Sequence, residues 1–498
     1  MIWHVAQREL MEHVRSARFL ALCGLAVLLL PLSAHVNAAR YHARLAQTAE
    51  LRSAQQRRVA EPVTESGQYA SRYGWRDGES IADPALRAVR GPSRFAVLAL
   101  GAEGALPAFW QFSTEGVEPG PAAMPDGSLT GDGRMDAVFI VQSVLGLLAL
   151  LLVFDAVSGE RESGVLRLLL ASPVRRSDLL LGKALGALAT LAVPLVLGVA
   201  GALLVLEARN VSLMRDGGAV RVAVFFAGST LYMLHMVALG LAVSTVTSRP
   251  KSSWVALLLI WICMVLVIPR VAEMLAATAH PAPPAFESRQ AKTAAIRQLQ
   301  HERARALSGV WRRAMGTDTV PGGLLDRPLR DAYRRIAAEQ ERAFTARKRA
   351  IIRQVELERQ RAIDRQARLA RAIGRVSPAT AYATVAADLA GTGSDAAWRW
   401  SDQVASHQAQ LEAATFDRTF GLEMYPAHLG YLRVIWWPDL AEPGDRPPAY
   451  EALPPFAYRE APLQDLLAGV LPELAILTAG SALWMIVALA AFQRLNVH

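Results

Sequence analysis

The sequence lacks the motifs that would identify an enzyme or a nucleotide-binding protein. Its two cysteines, Cys23 and Cys263, fall in predicted membrane spans, which excludes a disulfide outside the membrane and a thiolate zinc site. No G-x-x-x-x-G-K-[ST] loop is present, because the Gly182-Lys183 pair is followed by Ala184 and lacks the upstream glycine; HExxH is also absent. We therefore predict no catalytic residues and expect this chain to bind no cofactor.

Candidates for a metal or proton site are few. Met424 and His428 stand four residues apart and could bind copper, although a scattered pair of this kind is usually structural. His235 lies in a predicted span, where it could contact a proton or a substrate, or could hydrogen-bond a neighbouring helix. We predict no metal site, and both interpretations of His235 stay open.

Apolar runs dominate the 498-residue chain, in which 52% of residues are hydrophobic, 19% are charged and the mean hydropathy is +0.22. This mixture predicts membrane spans joined by sizeable polar regions. Because one bilayer crossing needs about 20 apolar residues, we expect an all-α membrane protein with about six spans. The predicted spans are residues 19–36, 137–155, 184–206, 220–246, 254–279 and 466–492.

Basic residues in the short segments predict the orientation. Arg15 and Arg18 precede the first span, and Arg249 and Lys251 lie in the turn before the fifth, so both termini are expected in the cytoplasm. Three arginines near the loop 207–219 run against this pattern. The expected cytoplasmic parts are an interfacial helix 1–18, the segment 156–183, the turn 247–253 and the tail 493–498. The expected extracytoplasmic parts are 37–136, 207–219 and 280–465.

The region 280–465 contains two helical patterns. Apolar residues recur at gaps of three, four, seven and eight over 287–315 and 331–376, with a Pro/Gly-rich break between these stretches. The pattern predicts a hairpin of two long antiparallel helices in a large, mainly helical extracytoplasmic domain. Its many arginines are either solvated faces or an anion- or lipid-binding surface. No nucleic-acid module accompanies them, so nucleic acid is not an expected partner.

Two further polar stretches are expected outside the membrane spans. The proline-rich approach to the last span, 443–462, follows several tryptophans and is expected to rest among lipid headgroups. The region 37–136 is rich in glycine and has no periodicity that predicts its secondary structure. No small-residue cleavage site follows the first apolar run, so we expect no cleaved signal peptide.

The segment 156–183 is the most informative part of the chain. Its charges would be costly in hydrocarbon, and its leucines form an apolar surface that needs cover. These properties predict a short cytoplasmic helix that presents an apolar knob with a charged rim to another protein. The residues expected at this interface are Glu160, Arg161, Gly164, Leu166, Leu169, Leu170, Pro173, Arg175 and Lys183.

This segment, E-R-E-x-G-x-L-x-x-L-L-x-x-P-V-x-R followed by L-L-L-G-K and an apolar run, resembles the ABC-2 class of ABC-transporter permeases. Within that class the chain is similar to the permeases of nitrous-oxide-reductase maturation and of multi-copper enzyme maturation with enlarged outer loops. The resemblance implies a type V-like exporter architecture in a bacterial cytoplasmic (inner) membrane. It does not identify the substrate.

The resemblance also implies partners. Two copies of a separate ATPase subunit would bind ATP and Mg²⁺, and a second permease copy would complete a homodimer or a paralogous heterodimer. The residues Glu160 to Leu170 would sit in a groove of the ATPase. An extracytoplasmic protein is a further expected partner. Two alternatives stay open: ATP-driven mechanotransmission to that partner without substrate flux, and a membrane scaffold that has no ATPase.

Overall fold

The structure is a computed structural model that describes most of the chain. The described residues are 2–60, 75–76, 79–80, 87–104, 106–113, 116–120, 135–171, 175–315, 327–423 and 455–495. Pro173, Met424, His428 and most of the proline-rich stretch 443–462 lie outside this set. The predictions made for them therefore stay predictions.

Among the residues that the structure describes, six helices are long and apolar enough to cross a membrane, so the prediction of an all-α protein with about six spans is confirmed. Span 1 lies in the helix Ala17–Ala60 and follows a short helix α1, Ile2–Val14. The other spans are Ala137–Glu162 (span 2), Arg176–Ala208 (span 3), Gly218–Val246 (span 4), Pro250–Ala279 (span 5) and Leu463–Gln493 (span 6). We call the end of the bundle beside α1 the α1 end.

Spans 2 and 4 form the centre of the bundle. Span 2 includes a π-helical stretch, Ile140–Leu145, where the wider turn leaves carbonyl groups available. The hydroxyl of Tyr232 on span 4 donates to the carbonyl of Gln142 there, at 2.8 Å. Lower in the same interface Gly240 is required, because a Cβ at this position would lie 2.3 Å from Cγ2 of Val153. Small residues at such crossings let membrane helices approach closely.

The helix of span 1 is much longer than its predicted apolar run, 19–36. It continues to Ala60, and its 44 residues correspond to about 66 Å. Between Pro31 and Ala60 there is no glycine or proline, so nothing ends the helix when its apolar run ends. The side-chain amide of Asn37 donates to the carbonyls of Val97 and Met135, which fixes the extension to the polar regions.

Beyond the helical extension of span 1, the described part of the first polar region contains short strands and one 3-10 turn, Arg94–Val97. β1 (Trp75–Arg76) pairs with β2 (Glu79–Ser80), and an antiparallel sheet contains β3 (Arg87–Val89), β4 (Phe109–Ser113) and β5 (Gly116–Pro119) in that order. Phe112 on β4 packs in one apolar cluster with Trp400, whose ring also meets Phe456 and Tyr458 edge-on at 5.5 Å. The two polar regions therefore share a core.

Short helices complete the α1 end and the second polar region. At the α1 end α2 is Ser158–Glu162 and α3 is Val165–Ala171. In the second polar region α4 is Ala285–Met315, α5 is Arg327–Gly374, α6 is Pro378–Ala390 and α7 is Ser394–Glu423.

Helices α4 and α5 form the predicted antiparallel hairpin. Arg347 on α5 lies 3.9 Å from the carboxylate of Glu302 on α4, and Arg303 stacks over the ring of Phe344 at 4.6 Å. The 48 residues of α5 correspond to about 72 Å. Helix α5 also packs against the last part of span 5, Ile268–Ala279, which attaches the hairpin to this span.

Helix α6 differs from the predicted layout, in which all of 280–465 lies outside the membrane. It packs between spans 4, 5 and 6. The Tyr382 hydroxyl is 2.9 Å from Oγ of Ser229, and Ser377 donates to the carbonyl of Met264 in the middle of span 5. With 13 mostly small apolar residues, α6 is too short to count as a span, so a length criterion does not detect it.

Candidate functional site

The charged segment after span 2 folds into two short helices at the α1 end. α2 and α3 meet at Gly164, whose φ of +76° is a left-handed conformation that glycine adopts without strain. This corner turns α3 away from the axis of span 2. The structure therefore gives Gly164 a conformational role, while its expected place at an interface with another protein stays a prediction. We call residues 155–171 the linking segment.

Burial divides the leucines of α3 into two groups. Leu166 is completely buried and Leu169 is half-buried, whereas Leu168 is 75% exposed. The side chain of Leu170 is not among those described. Helical periodicity explains the division, since positions 166 and 169 face the bundle and position 168 faces away. The sequence analysis did not select Leu168, although the same periodicity distinguishes it.

The charged residues of the linking segment lie mainly on its surface. Arg161, Glu162 and Arg167 are exposed, and Arg175, which follows the segment, is exposed as well. Leu168 is therefore an exposed apolar side chain in a segment whose charged side chains are mostly exposed as well. This combination is typical of a protein interface, where a buried apolar anchor supplies affinity and surrounding charges supply specificity.

Lys183 has a different environment from the exposed charges. Its side chain is only 3% exposed, and its Nζ lies 2.6 Å from Oε1 of Glu9 and 2.7 Å from Oε1 of Glu160. One ammonium thus joins α1, α2 and span 3. Buried charges are tolerated when they are paired in this way. Lys183 therefore acts inside the chain, and its position after Gly182 reflects helix packing.

Two glycines bring α1 close enough to span 3 for this pairing. A Cβ at Gly182 would lie 2.6 Å from Cβ of Val5, and a Cβ at Gly186 would lie 2.6 Å from Cβ of Glu9. Both distances are shorter than any normal contact. The packed face of α1 includes Ala6, although the sequence predicts an apolar face toward lipid. Its Trp3 remains 68% exposed.

Spans 1 and 4 also hold the linking segment. The guanidinium of Arg18 donates to both carboxylate oxygens of Asp155, at 3.1 and 2.9 Å. Oγ of Ser244 on span 4 accepts from the backbone N–H groups of Val157 and Ser158, at 3.1 and 3.2 Å. This hydroxyl satisfies donors at the start of α2 that have no partner within the helix.

Spans 5 and 6 complete the set of contacts. Gly159 lies against Pro250 at the start of span 5. A Cβ added at Gly159 would be 3.9 Å from Cγ of Pro250. Arg176, at the start of span 3, donates to the carbonyls of Gln493 and Leu495 at 2.8 and 3.1 Å and so binds the end of span 6. Cationic groups stabilise helix C-termini. The linking segment and the first residue of span 3 thus contact every span.

Other candidate sites have less support. No group of three or more His, Cys, Asp or Glu side chains that could hold a metal occurs among the residues that the structure describes. His235 is buried, and its ring faces span 6, where a Cβ at Gly480 would lie 2.8 Å from it. This packing places His235 in contact with a neighbouring helix, and both interpretations of His235 stay open. Cys23 and Cys263 are free cysteines within spans 1 and 5.

Comparison with known proteins identifies the family. The sequence model for the ABC-2 family transporter protein matches residues 3–410, which is most of the chain. This chain belongs to the ABC-2 transporter family. The match includes α1, spans 1 to 5, the linking segment and the hairpin. The resemblance inferred from the charged segment is thereby confirmed.

A bacterial permease also matches part of this chain. The probable ABC transporter permease protein NosY of Pseudomonas aeruginosa is 36% identical over 127 residues. The aligned part is 25% of this chain and 45% of NosY, so less than half of that relative's length is matched. As an ABC-2 family member with six apolar helices, the chain is a multi-pass membrane subunit of an ABC transporter.

Proposed function

We propose that this chain couples ATP hydrolysis on a separate ATPase subunit to the translocation of a substrate across a bacterial inner membrane. The α1 end faces the cytoplasm, two ATPase copies bind there with their ATP and Mg²⁺, and a second permease copy completes the path. One observation carries the proposal: the linking segment contacts the spans on all sides and leaves Leu168 exposed.

The proposed interface has an apolar anchor and a rim. Leu168 inserts into the ATPase, while Arg161, Glu162 and Arg175 surround it and determine its orientation. Leu166 and Lys183 contribute from inside by holding α3 and α2 on the bundle. This division refines the interface expected from the sequence, in which all these residues face the ATPase together.

Movement of the ATPase would reach the spans through short polar contacts. Displacement of the linking segment pulls on α1 and span 3 through Lys183, on span 1 through Arg18, and on span 4 through Ser244. The donor and acceptor atoms of these contacts lie 2.6 to 3.2 Å apart, so the joined segments cannot separate without breaking them. Rigid contacts of this kind convert a local displacement into movement of packed helices.

Co-purification of an ATPase from native membranes tests the proposal. Leu168→Asp is expected to lower ATPase recovery by at least about tenfold, because a carboxylate would replace the anchor. Met11→Asp is the matched control, since Met11 is an exposed apolar residue of α1 at the same end of the bundle. Absence of an ATPase with the intact chain, or equal recovery with both variants, would contradict coupling and favour the scaffold.

Mechanotransmission without flux is the second candidate function. It is favoured by α5, which runs from its contacts with span 5 to the tip of the hairpin as one uninterrupted helix. A hairpin of this length would amplify movements of span 5 for an extracytoplasmic partner. Transport measured in proteoliposomes separates the two functions, since ATP-dependent substrate flux is expected only for translocation.

A further inference from the structure

The hairpin concentrates the positive charge of the whole chain. Helices α4 and α5 contain 21 Lys or Arg residues and 8 Asp or Glu residues, while the chain has a net charge of only +9. The remainder of the chain is therefore net negative. Two such hairpins repel each other, so the hairpin of a second permease copy is not a suitable partner. An acidic molecule, in contrast, would be attracted to the hairpin.

One face of α5 combines apolar and basic residues. Positions 346, 350, 353, 357 and 361 follow one another at helical spacing and are all exposed. They are Ala346, Ala350, Arg353, Leu357 and Arg361, which we call the Leu357 face. Leu357 is 43% exposed, whereas Ile296, Leu299 and Phe344 of the same hairpin are buried. Neither arginine forms an ion pair with another residue that the structure describes.

The membrane around the protein does not reach the Leu357 face. Ser377 bonds to Met264, which is 14 residues or about 21 Å from the start of span 5. Leu357 precedes Ser377 by 20 residues, or about 30 Å, along α5, which packs along the same span. Leu357 therefore lies about 50 Å from the start of span 5, measured along these helices. This distance exceeds the roughly 40–45 Å thickness of a bilayer with its headgroups. Lipid therefore leaves Leu357 uncovered.

We propose that the Leu357 face binds an acidic amphipathic helix of an extracytoplasmic protein. Leu357 and the two alanines receive the apolar stripe of that helix, while Arg353 and Arg361 pair with carboxylates at its edges. Small residues beside one large apolar residue allow close helix packing. A polyanion without an apolar stripe would contact only the two arginines and not Leu357. The proposal uses the orientation given above but does not depend on ATPase coupling.

A synthetic helix serves as the probe. The full-length chain is placed in nanodiscs of zwitterionic phosphatidylcholine, and a fluorescent peptide of about six helical turns carries a Leu/Ala stripe flanked by Glu. A scrambled peptide of the same composition keeps the charge and loses the stripe. Fluorescence anisotropy is expected to show binding at least about tenfold tighter for the striped peptide than for the scrambled one.

Variants test both halves of the face. Leu357→Ser and the double variant Arg353→Glu/Arg361→Glu are each expected to weaken binding about tenfold or more. The control Arg52→Glu/Arg57→Glu makes the same charge change on the extension of span 1 and should leave binding unchanged. A striped peptide with Lys in place of Glu should bind the double variant and not the parent chain, even if ATPase coupling fails.

Three results would overturn the proposal. The first is no binding of the striped peptide in buffer of low ionic strength. The second is equal binding of the striped and scrambled peptides, or of heparin, without dependence on Leu357, since this indicates a general polyanion surface. The third is binding of phosphatidylglycerol vesicles that depends on Leu357 while the striped peptide does not bind, which identifies a lipid surface instead.

Discussion

Lys183 and Glu9 form a buried ion pair of 2.6 Å although they are 174 residues apart in the sequence. The same ammonium contacts Glu160 at 2.7 Å. The first helix of the chain, the linking segment and span 3 therefore depend on one cation. Removal of this cation would leave two carboxylates close together with little access to water.

Lys183→Met is expected to destabilise the fold by about 3–5 kcal/mol, because it leaves buried carboxylates without their counter-charge. The matched control is Arg18→Met, which breaks the more exposed pair with Asp155 and should cost about 0–1 kcal/mol. Thermal unfolding in detergent measures both. Similar melting temperatures for the two variants would contradict the assignment of Lys183 as an internal contact.

Gly186→Ala is expected to destabilise the contact between α1 and span 3 by about 1–3 kcal/mol, because its methyl group would overlap Cβ of Glu9. Gly24→Ala is the control, since a Cβ there meets no atom within 4 Å. The control should leave stability unchanged or raise it slightly. Disulfide crosslinking between cysteines placed in α1 and span 3 would report the separation directly.

The C-terminal end of α6 is expected to be more stable at acidic than at alkaline pH. Burial raises the pKa of the Asp388 carboxyl to about 6. A raised carboxyl pKa means that the folded state binds the proton more tightly than the unfolded state. The resulting stability is complete below the unfolded pKa and is lost as the pH rises through about 6.

Asp388→Asn should remove this pH dependence and stabilise the protein at pH above about 7, by at most about 3 kcal/mol. Asp402→Asn changes an exposed carboxyl on α7 that does not act on Asp388, and it serves as the control. Melting curves across the pH range measure both variants. An unchanged slope in Asp388→Asn would show that another group titrates.

The hydroxyl pair of Tyr382 and Ser229 should contribute about 1 kcal/mol to the attachment of α6. Tyr382→Phe and Ser229→Ala are expected to cost similar amounts, and the double variant should cost clearly less than their sum. A double-mutant cycle of unfolding free energies measures this coupling. Strict additivity would indicate that the two hydroxyls do not interact.

Local patterns predicted much of this architecture. Apolar length identified the six spans, the apolar stripes identified the hairpin, and the order of residues from Glu160 to Lys183 identified the family. Each of these signals depends on neighbouring residues, so a single sequence contains it. Helical periodicity also predicts that Leu168 is exposed, although the interface expected from the sequence did not separate it from the other leucines of α3.

Features that depend on distant residues were not predictable. The contact of Lys183 with Glu9 requires two helices to approach across Gly182 and Gly186, which the sequence alone does not indicate. The insertion of α6 depends on partners such as Ser229, more than 150 residues away. Its 13 residues are too few to indicate a membrane span, and only the surrounding spans give it its position.

The bond between Arg176 and the end of span 6 has a consequence for synthesis. Its acceptors, the carbonyls of Gln493 and Leu495, are made more than 300 residues after Arg176 itself. During translation the start of span 3 remains without this anchor until the last span has entered the bilayer. The surface that contains the linking segment therefore reaches its final form only after span 6 has inserted, which makes this bond a late step of assembly.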